Sequence, residues 1–223
     1  MFDLYIGNKN YSSWSLRPWL LLKHFGIPFT EHLVSVAGRD YNPALKPLAG
    51  NARMPCLHED GFQIWESLAI AETLAERYPQ MWPADPRARA RARSISAEMH
   101  AGFAKLRTAM PMNLKLKLKG KPATPEVQRD IDRVAEIWEE ARTQFATADG
   151  PWLFGAFSVA DAMFAPIVWR FHVYNVALPP VAAAYRDAML GHPAMQEWYA
   201  AGLLETEAHA HYDQLADEYG GIR

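Results

Sequence analysis

The chain has 223 residues, half of them hydrophobic, with a formal net charge of −2 and a single cysteine, Cys56. That length holds one large domain or two small ones. The near-neutral charge gives no global drive toward nucleic acid or an anionic membrane. The lone cysteine excludes an intramolecular disulfide framework and fits a reducing compartment.

In chain order, "FDLYIG" (2–7) reads as a short strand, and Leu16 to Phe25 as a helix with Pro18 in its first turn and Gly26 at its end. "FTEHLVSV" (29–36) alternates like a second strand. Residues 37–53 are irregular, punctuated by Gly38, Pro43, Pro47 and Gly50. "MPCLHEDGFQIWES" gives strand, tight turn and strand. Ser67 to Tyr78 then repeats apolar residues at helical spacing until Pro79 stops it. The order is β-α-β, then β-β-α, in 78 residues. "PQMWPADP" (79–86) reads as a linker between domains. Beyond it strand signals fade, and helices are expected over 87–112, 125–147, 158–175, 179–190 and 193–201, followed by a tail. The expected fold is therefore α/β plus all-α: an α/β domain over 1–78, a linker over 79–86 and a helical bundle over 87–223. The N-terminus "MFDLYIGNKN" has no basic stretch followed by a long apolar one, and no window suits a membrane span. A cytoplasmic protein is expected.

Three local patterns carry possible chemistry. "NYSSWSLRPW" (10–19) puts Ser12, Ser13 and Ser15 where a strand hands over to a helix. The ordinary reading of such hydroxyls is a helix cap; the sharper one is a site for an anion or thiolate, since helix N-termini attract negative charge. Met54-Pro55 precedes a strand, in trans as an edge proline or in cis with the Met54 backbone turned toward a peptide-like ligand. Glu66-Ser67 opens a helix, with Ser67 as cap or the pair as a holder of an amino acid's carboxylate and ammonium. Separately, Ser158 and Asp161 form a capping-box pattern that fixes a buried helix.

The pieces "SSWSLR", "MP", "ES" and "FSVADAMFAP" occur in the order and spacing of cytosolic glutathione transferases, and the chain resembles that family over nearly its whole length. The serine-rich start and "PMNLKLKL" (111–118) are most similar to the zeta-like group, with Trp14 where that group has a cysteine and Leu16 where it has an aromatic. The resemblance implies a thioredoxin-like domain followed by a helical domain, acting as a homodimer in detoxification. It implies glutathione as co-substrate, whose thiolate reacts with a small electrophile. A maleylacetoacetate-type isomerase and a non-catalytic binder of glutathione or apolar ligands are the alternatives. It also implies roles for particular residues. Ser12, then Ser13, would face the sulfur, and Arg17 would add positive potential. Met54, beside cis Pro55, would pair with the cysteinyl unit. Glu66 and Ser67 would hold the γ-glutamyl end, and Arg53 a glycyl carboxylate. Ser15 is assigned to helix capping beside this site. Phe103, Met110, Met112 and Trp169 are candidates for the second-substrate wall.

Other features read as structural. Cys56, at a strand start, is expected to be buried and inert. "RARARAR" (87–93) is expected to be a solvated or inter-subunit face rather than a nucleic-acid site. The lysines of "LKLKLKGK" (114–121), near the end of the first long helix, would draw in anions if they overhang a cleft. His209 and His211 are too poorly placed on one helix to bind a metal.

Overall fold

The structure, a computed structural model, describes residues 1–35 and 41–222. The first half is a four-stranded sheet with two main helices. Its elements are β1 (Phe2–Ile6), α1 (Ser13–His24), β2 (Phe29–Leu33), β3 (Cys56–Glu59), β4 (Phe62–Trp65) and α2 (Ser67–Arg77). The strand order is β2-β1-β3-β4, with β1 parallel to β2 and the other pairings antiparallel. This is the thioredoxin-like arrangement. β2 ends at Leu33, because the chain leaves the sheet once the Val34 N–H has bonded the Ile6 carbonyl at 2.8 Å. The end of the expected strand at Val36, and Gly38 after it, lie outside the described residues. The hairpin turn is Asp60-Gly61, both at positive φ (50° and 83°). That is what a two-residue turn matching the sheet's twist requires.

Helix α1 begins three residues earlier than the apolar spacing predicts. Pro18 consequently lies inside the helix rather than in its first turn, and offers no N–H to the Trp14 carbonyl. Gly26, at φ 63°, ends it, with the Ile27 N–H reaching back to Leu22. Segment 79–86 is packed rather than loose. Met81 and Trp82 are buried, and the Trp82 indole donates to Glu72 at 3.2 Å.

The second half contains α3 (Pro86–Ala101), α4 (Ala104–Ala109), β5 (Lys117–Leu118), α5 (Pro125–Phe145), α6 (Val159–Val173), α7 (Pro180–Leu190), α8 (Pro193–Leu204), α9 (Ala210–Asp213), α10 (Leu215–Tyr219) and β6 (Gly221–Ile222). The single helix expected over 87–112 is broken. A Cβ on Gly102 would sit 2.7 Å from the Glu98 carbonyl, and Phe103 takes a left-handed φ of 59° before α4 starts. The lysine stretch 114–121 thus leaves the helix, and Lys117–Leu118 pairs with Gly221–Ile222 at the end of the tail. The arginines of 87–93 lie at the surface, with Arg87, Arg91 and Arg93 exposed, and Arg91 pairs with Glu140 at 3.7 Å. Arg89 donates to the Pro83 and Ala84 carbonyls, while Arg93 meets Glu72 at 3.3 Å and lies over the Trp82 ring.

One hydrophobic core runs through both halves. α6 is its axis, buried from Val159 to Phe171. Its start is tied by Asp161, whose carboxylate accepts from the N–H groups of Ser158 (2.8 Å) and Leu153 (3.0 Å) and from the Ser158 hydroxyl (3.1 Å). Asp161→Ala strands these buried donors and should lower unfolding free energy by about 2–4 kcal/mol. Urea titration of the two proteins measures the difference.

α1 and α8 are also joined by a histidine pair, His24 Nδ1 to His192 Nε2 at 2.8 Å. His192 Nδ1 accepts the Ala194 N–H, so His192 is the donor in the pair and both rings are neutral. Burial, then the His192 neighbour, push His24 down to about 4. A histidine that resists protonation in the fold contributes stability that is complete above its unfolded value, near 6.5, and is lost as pH falls toward 4. Stability should therefore decline between those pH values, and His24→Phe, which keeps the stack on Phe157 (ring centroids 4.0 Å), should flatten the decline in a pH series of melts.

Candidate functional site

A cavity of about 590 Å³ opens where β1 ends, α1 begins, and the helical half closes over them. The sheet side of its wall comes from Ser12, Ser13 and Trp14 at the start of α1, from Arg53, Met54 and Pro55 before β3, and from Glu66 and Ser67 at the start of α2. These segments, scattered over 56 residues of sequence, meet because β3 lies beside β1 with Cys56 opposite Tyr5, and because β4 delivers Glu66 next to that edge.

The serines do not act as caps. Ser12 is the N-cap residue of α1, but its side chain takes no helix N–H. Its hydroxyl lies 2.8 Å from the Ser15 hydroxyl, which in turn accepts the Gly7 N–H at 3.0 Å. Ser15, expected as a cap, is instead a buried tie between the end of β1 and the first turn of α1, beneath the cavity and not on its wall. Ser13 Oγ accepts from Arg170 Nη2 at 3.3 Å. The start of α1 is thus an uncapped helix terminus carrying two hydroxyls and facing a cavity, which is a site suited to an anion.

Met54-Pro55 is a cis peptide bond. Among the described residues the Met54 N–H and carbonyl have no hydrogen-bond partner. Arg53 is exposed at the rim. Ser67 is the first helical residue of α2 rather than its cap; the cap position belongs to Glu66, at an unusual φ of 69°. Asn51 and His100 flank the Glu66 carboxylate at 3.5 and 3.6 Å. Arg17 is buried below, donating to Ser67 Oγ at 3.3 Å, and does not line the cavity.

Of the residues expected on the second-substrate wall, Met112 is there. Phe103, Met110 and Trp169 are spent in the core. The wall is made largely of residues the sequence did not single out. Arg107, Thr108 and Pro111 come from the broken helix and the turn after it, and Arg170 from α6. The lysines of 114–121 are not on the wall, and positive charge comes from arginines instead. Arg170 is buried, its Nε donating to the Met110 carbonyl at 2.8 Å and its Nη1 unpartnered. Burial pulls it down to about 10, so the guanidinium remains charged at neutral pH. Arg17 is likewise lowered, by burial first and then by the proximity of Arg170 and Arg107. Among the described residues none of these three arginines has a carboxylate within 4 Å.

The tail expected after residue 201 is a strap across the mouth, contributing Glu207, Ala208, His209, His211 and Tyr212. Two carboxylates anchor it. Glu205 accepts the N–H groups of Lys9 (2.6 Å) and Asn10 (2.8 Å). Asp213 accepts from the Tyr11 hydroxyl (2.9 Å), the Asn113 amide (2.8 Å) and the His209 N–H (3.1 Å). Tyr11 is pushed up to about 12, chiefly by burial and then by Asp213. Cys56 lies behind the cavity, fully buried and raised to about 11 by that burial, so it stays a thiol.

The family follows from this fold. The chain belongs to the glutathione S-transferase family: the family's N-terminal domain matches residues 11–77 and its C-terminal domain residues 124–201. It is similar to a maleylacetoacetate isomerase of Pseudomonas aeruginosa, 29% identical over 217 residues, covering 92% of this chain and 99% of that one. It is also similar to a probable maleylacetoacetate isomerase of Caenorhabditis elegans, 26% identical over 189 residues, covering 82% and 85%. Among solved structures, a Burkholderia glutathione transferase homolog with bound glutathione shares the fold at a TM-score of 0.68, with 23% identity over 91% of this chain and 98% of that one.

Asp213 holds the strap to the rest of the protein at two points, Tyr11 and Asn113, and braces it internally at His209, so Asp213→Ala should speed hydrogen exchange throughout 205–222 while leaving β1 and β3 amides protected. Exchange read by mass spectrometry checks this; unchanged rates in the strap would contradict the anchoring role.

Proposed function

We propose that this protein binds glutathione along residues 1–78, with 79–86 as the join, and uses its thiolate on a small electrophile held against 87–223. The observation that carries this reading is the uncapped start of α1, where Ser12 and Ser13 face a cavity backed by a buried, charged Arg170. The free Met54 backbone groups would pair with the cysteinyl unit, Glu66 and Ser67 with the γ-glutamyl end, and Arg53 with the glycyl carboxylate.

The energetics suffice without a general base. A thiol of pKa about 8.5 needs roughly 2.7 kcal/mol of preferential anion stabilisation to fall by about two units. A hydrogen bond to a charged group supplies about 1.5–3 kcal/mol. A helix N-terminus adds about 0.3–2 kcal/mol. Ser12 holds first place by motif position. Its hydroxyl is engaged with Ser15, whereas Ser13 accepts from Arg170 and keeps its own proton to give. That difference favours Ser13 as the direct donor to sulfur, with Arg170 polarising it. In the reaction the thiol proton leaves to solvent, the thiolate forms a C–S bond, and the leaving group departs with its electron pair.

Among the described residues Arg107 and Arg170 on the helical wall form no ion pair with a carboxylate, Asp130 acting on Arg107 only at longer range, which supports an electrophile that carries its own anionic group. A glutathione-dependent isomerase is the second reading, favoured by the names of the two relatives. There the thiolate would add to a double bond and leave again, with no net transfer. A homodimer in the cytoplasm belongs to the same proposal; Phe62 and Trp65 leave apolar surface exposed on β4, and among the described residues no helix is long and apolar enough to cross a membrane.

The test is the ultraviolet absorbance of bound glutathione thiolate against pH. The wild type should show a thiol pKa lowered by about two units, and Ser13→Ala should return it toward 8.5 more fully than Ser12→Ala. An ordinary thiol pKa in the wild type would favour a binding protein without turnover. Maleylacetoacetate supplied with glutathione then separates isomerisation from conjugation.

A further inference from the structure

Trp14 occupies the cavity wall immediately after the two serines, and two guanidiniums lie over its indole. The Arg17 guanidinium carbon is 4.3 Å from the ring centroid and that of Arg107 is 5.2 Å away. His100 meets the ring edge-on at 5.4 Å. Two cations on one ring repel each other, and the electron-rich indole face offsets part of that repulsion.

The two arginines are held very differently otherwise. Arg17 is buried and bonded to Ser67. Arg107 is half-buried on a short helix, and its hydrogen-bond acceptor is the His100 carbonyl at 3.2 Å. A long side chain with one such tether samples several rotamers unless a flat surface holds it. Trp14 is that surface, and it keeps the guanidinium on the cavity side. Arg170 is fixed without the ring, by its bonds to the Met110 carbonyl and Ser13, and needs no such surface.

We propose that Trp14 is a positioning residue, which fixes Arg107 against the cavity so that its guanidinium receives the anionic group of the electrophile. This rests on the reading given under the proposed function. It assigns the tryptophan a task in substrate selection: Arg107 alone supplies charge, and Trp14 supplies its place. The lowered proton affinity of Arg107, caused by burial and only partly offset by Asp130, agrees with a guanidinium that gains from a partner anion.

A matched pair of electrophiles tests it: chlorodinitrobenzoate, which carries a carboxylate, and neutral chlorodinitrobenzene. The readouts are the ratio of kcat/KM for the two with glutathione, and equilibrium dialysis of each compound. The wild type should prefer the benzoate. Trp14→Leu should lower that preference by about fivefold, mainly through the benzoate KM, as expected for loss of one desolvated cation–π contact. Arg107→Gln should lower it at least as far, Trp14→Leu combined with Arg107→Gln no further than Arg107→Gln alone, and Trp14→Phe only slightly. An unchanged ratio in Trp14→Leu, an equal loss for both compounds, or a double variant showing the product of the single losses would overturn the proposal. If the wild type turns over neither compound, the transferase reading fails. Dialysis still decides Trp14: a fivefold loss of benzoate binding sustains its role and an unchanged affinity ends it.

Discussion

Residues Ser15 to Leu22 of α1 are all buried, because the helix packs against α2, α6 and α8 together. A helix enclosed in this way cannot slide or rotate without uncovering apolar area, at roughly 25 cal/mol for each Å². Its N-terminus is therefore a fixed point. The hydrogen-bond chain from the Gly7 N–H through Ser15 to Ser12 pins the same point to the end of β1. Everything at the cavity is placed relative to it: the serines directly, Met54 through the β1–β3 pairing, and Arg170 through the contact of α1 with α6.

Local signals were legible wherever a few adjacent residues decide the outcome. The Asp60-Gly61 turn, Gly26 at a helix end and the Ser158–Asp161 pairing are set by backbone conformation and short-range hydrogen bonds, which residue type reveals. The broken helix at Gly102 was not legible in the same way. Its apolar spacing continues across the break, which spacing alone does not reveal: the Gly102 N–H closes α3 on the Glu98 carbonyl four residues back, and Phe103 then turns left-handed. The strap is hidden for a different reason: its anchors join residues nearly 200 positions apart, at Lys9 and Glu205.

The candidate site was half legible. The parts on the sheet side stand at element boundaries, where hydroxyls, a proline and a carboxylate are conspicuous. Apolar residues are the obvious candidates for the helical wall, yet Phe103, Met110 and Trp169 belong to the core. The informative residue was the opposite type. Arg170 is the one arginine or lysine within the apolar run of α6, and a charge in a buried helix needs a partner or a purpose. Net charge also misleads by averaging: the conspicuous arginines of 87–93 lie outside the cavity, while Arg53, Arg107 and Arg170, which line it, are dispersed along the chain.

The strap has a consequence for how the protein is made. Its carboxylates fasten to residues 9–11, and β6 closes on β5, so the mouth of the cavity is assembled from the first and last parts of the chain. During synthesis the N-terminal sheet emerges first and can fold while the rest is still being added. The mouth cannot form until residues 205–213 have been added and have reached back to residues 9–11. A chain that stopped before residue 205 would keep β1 to β4 and lose the strap over the cavity.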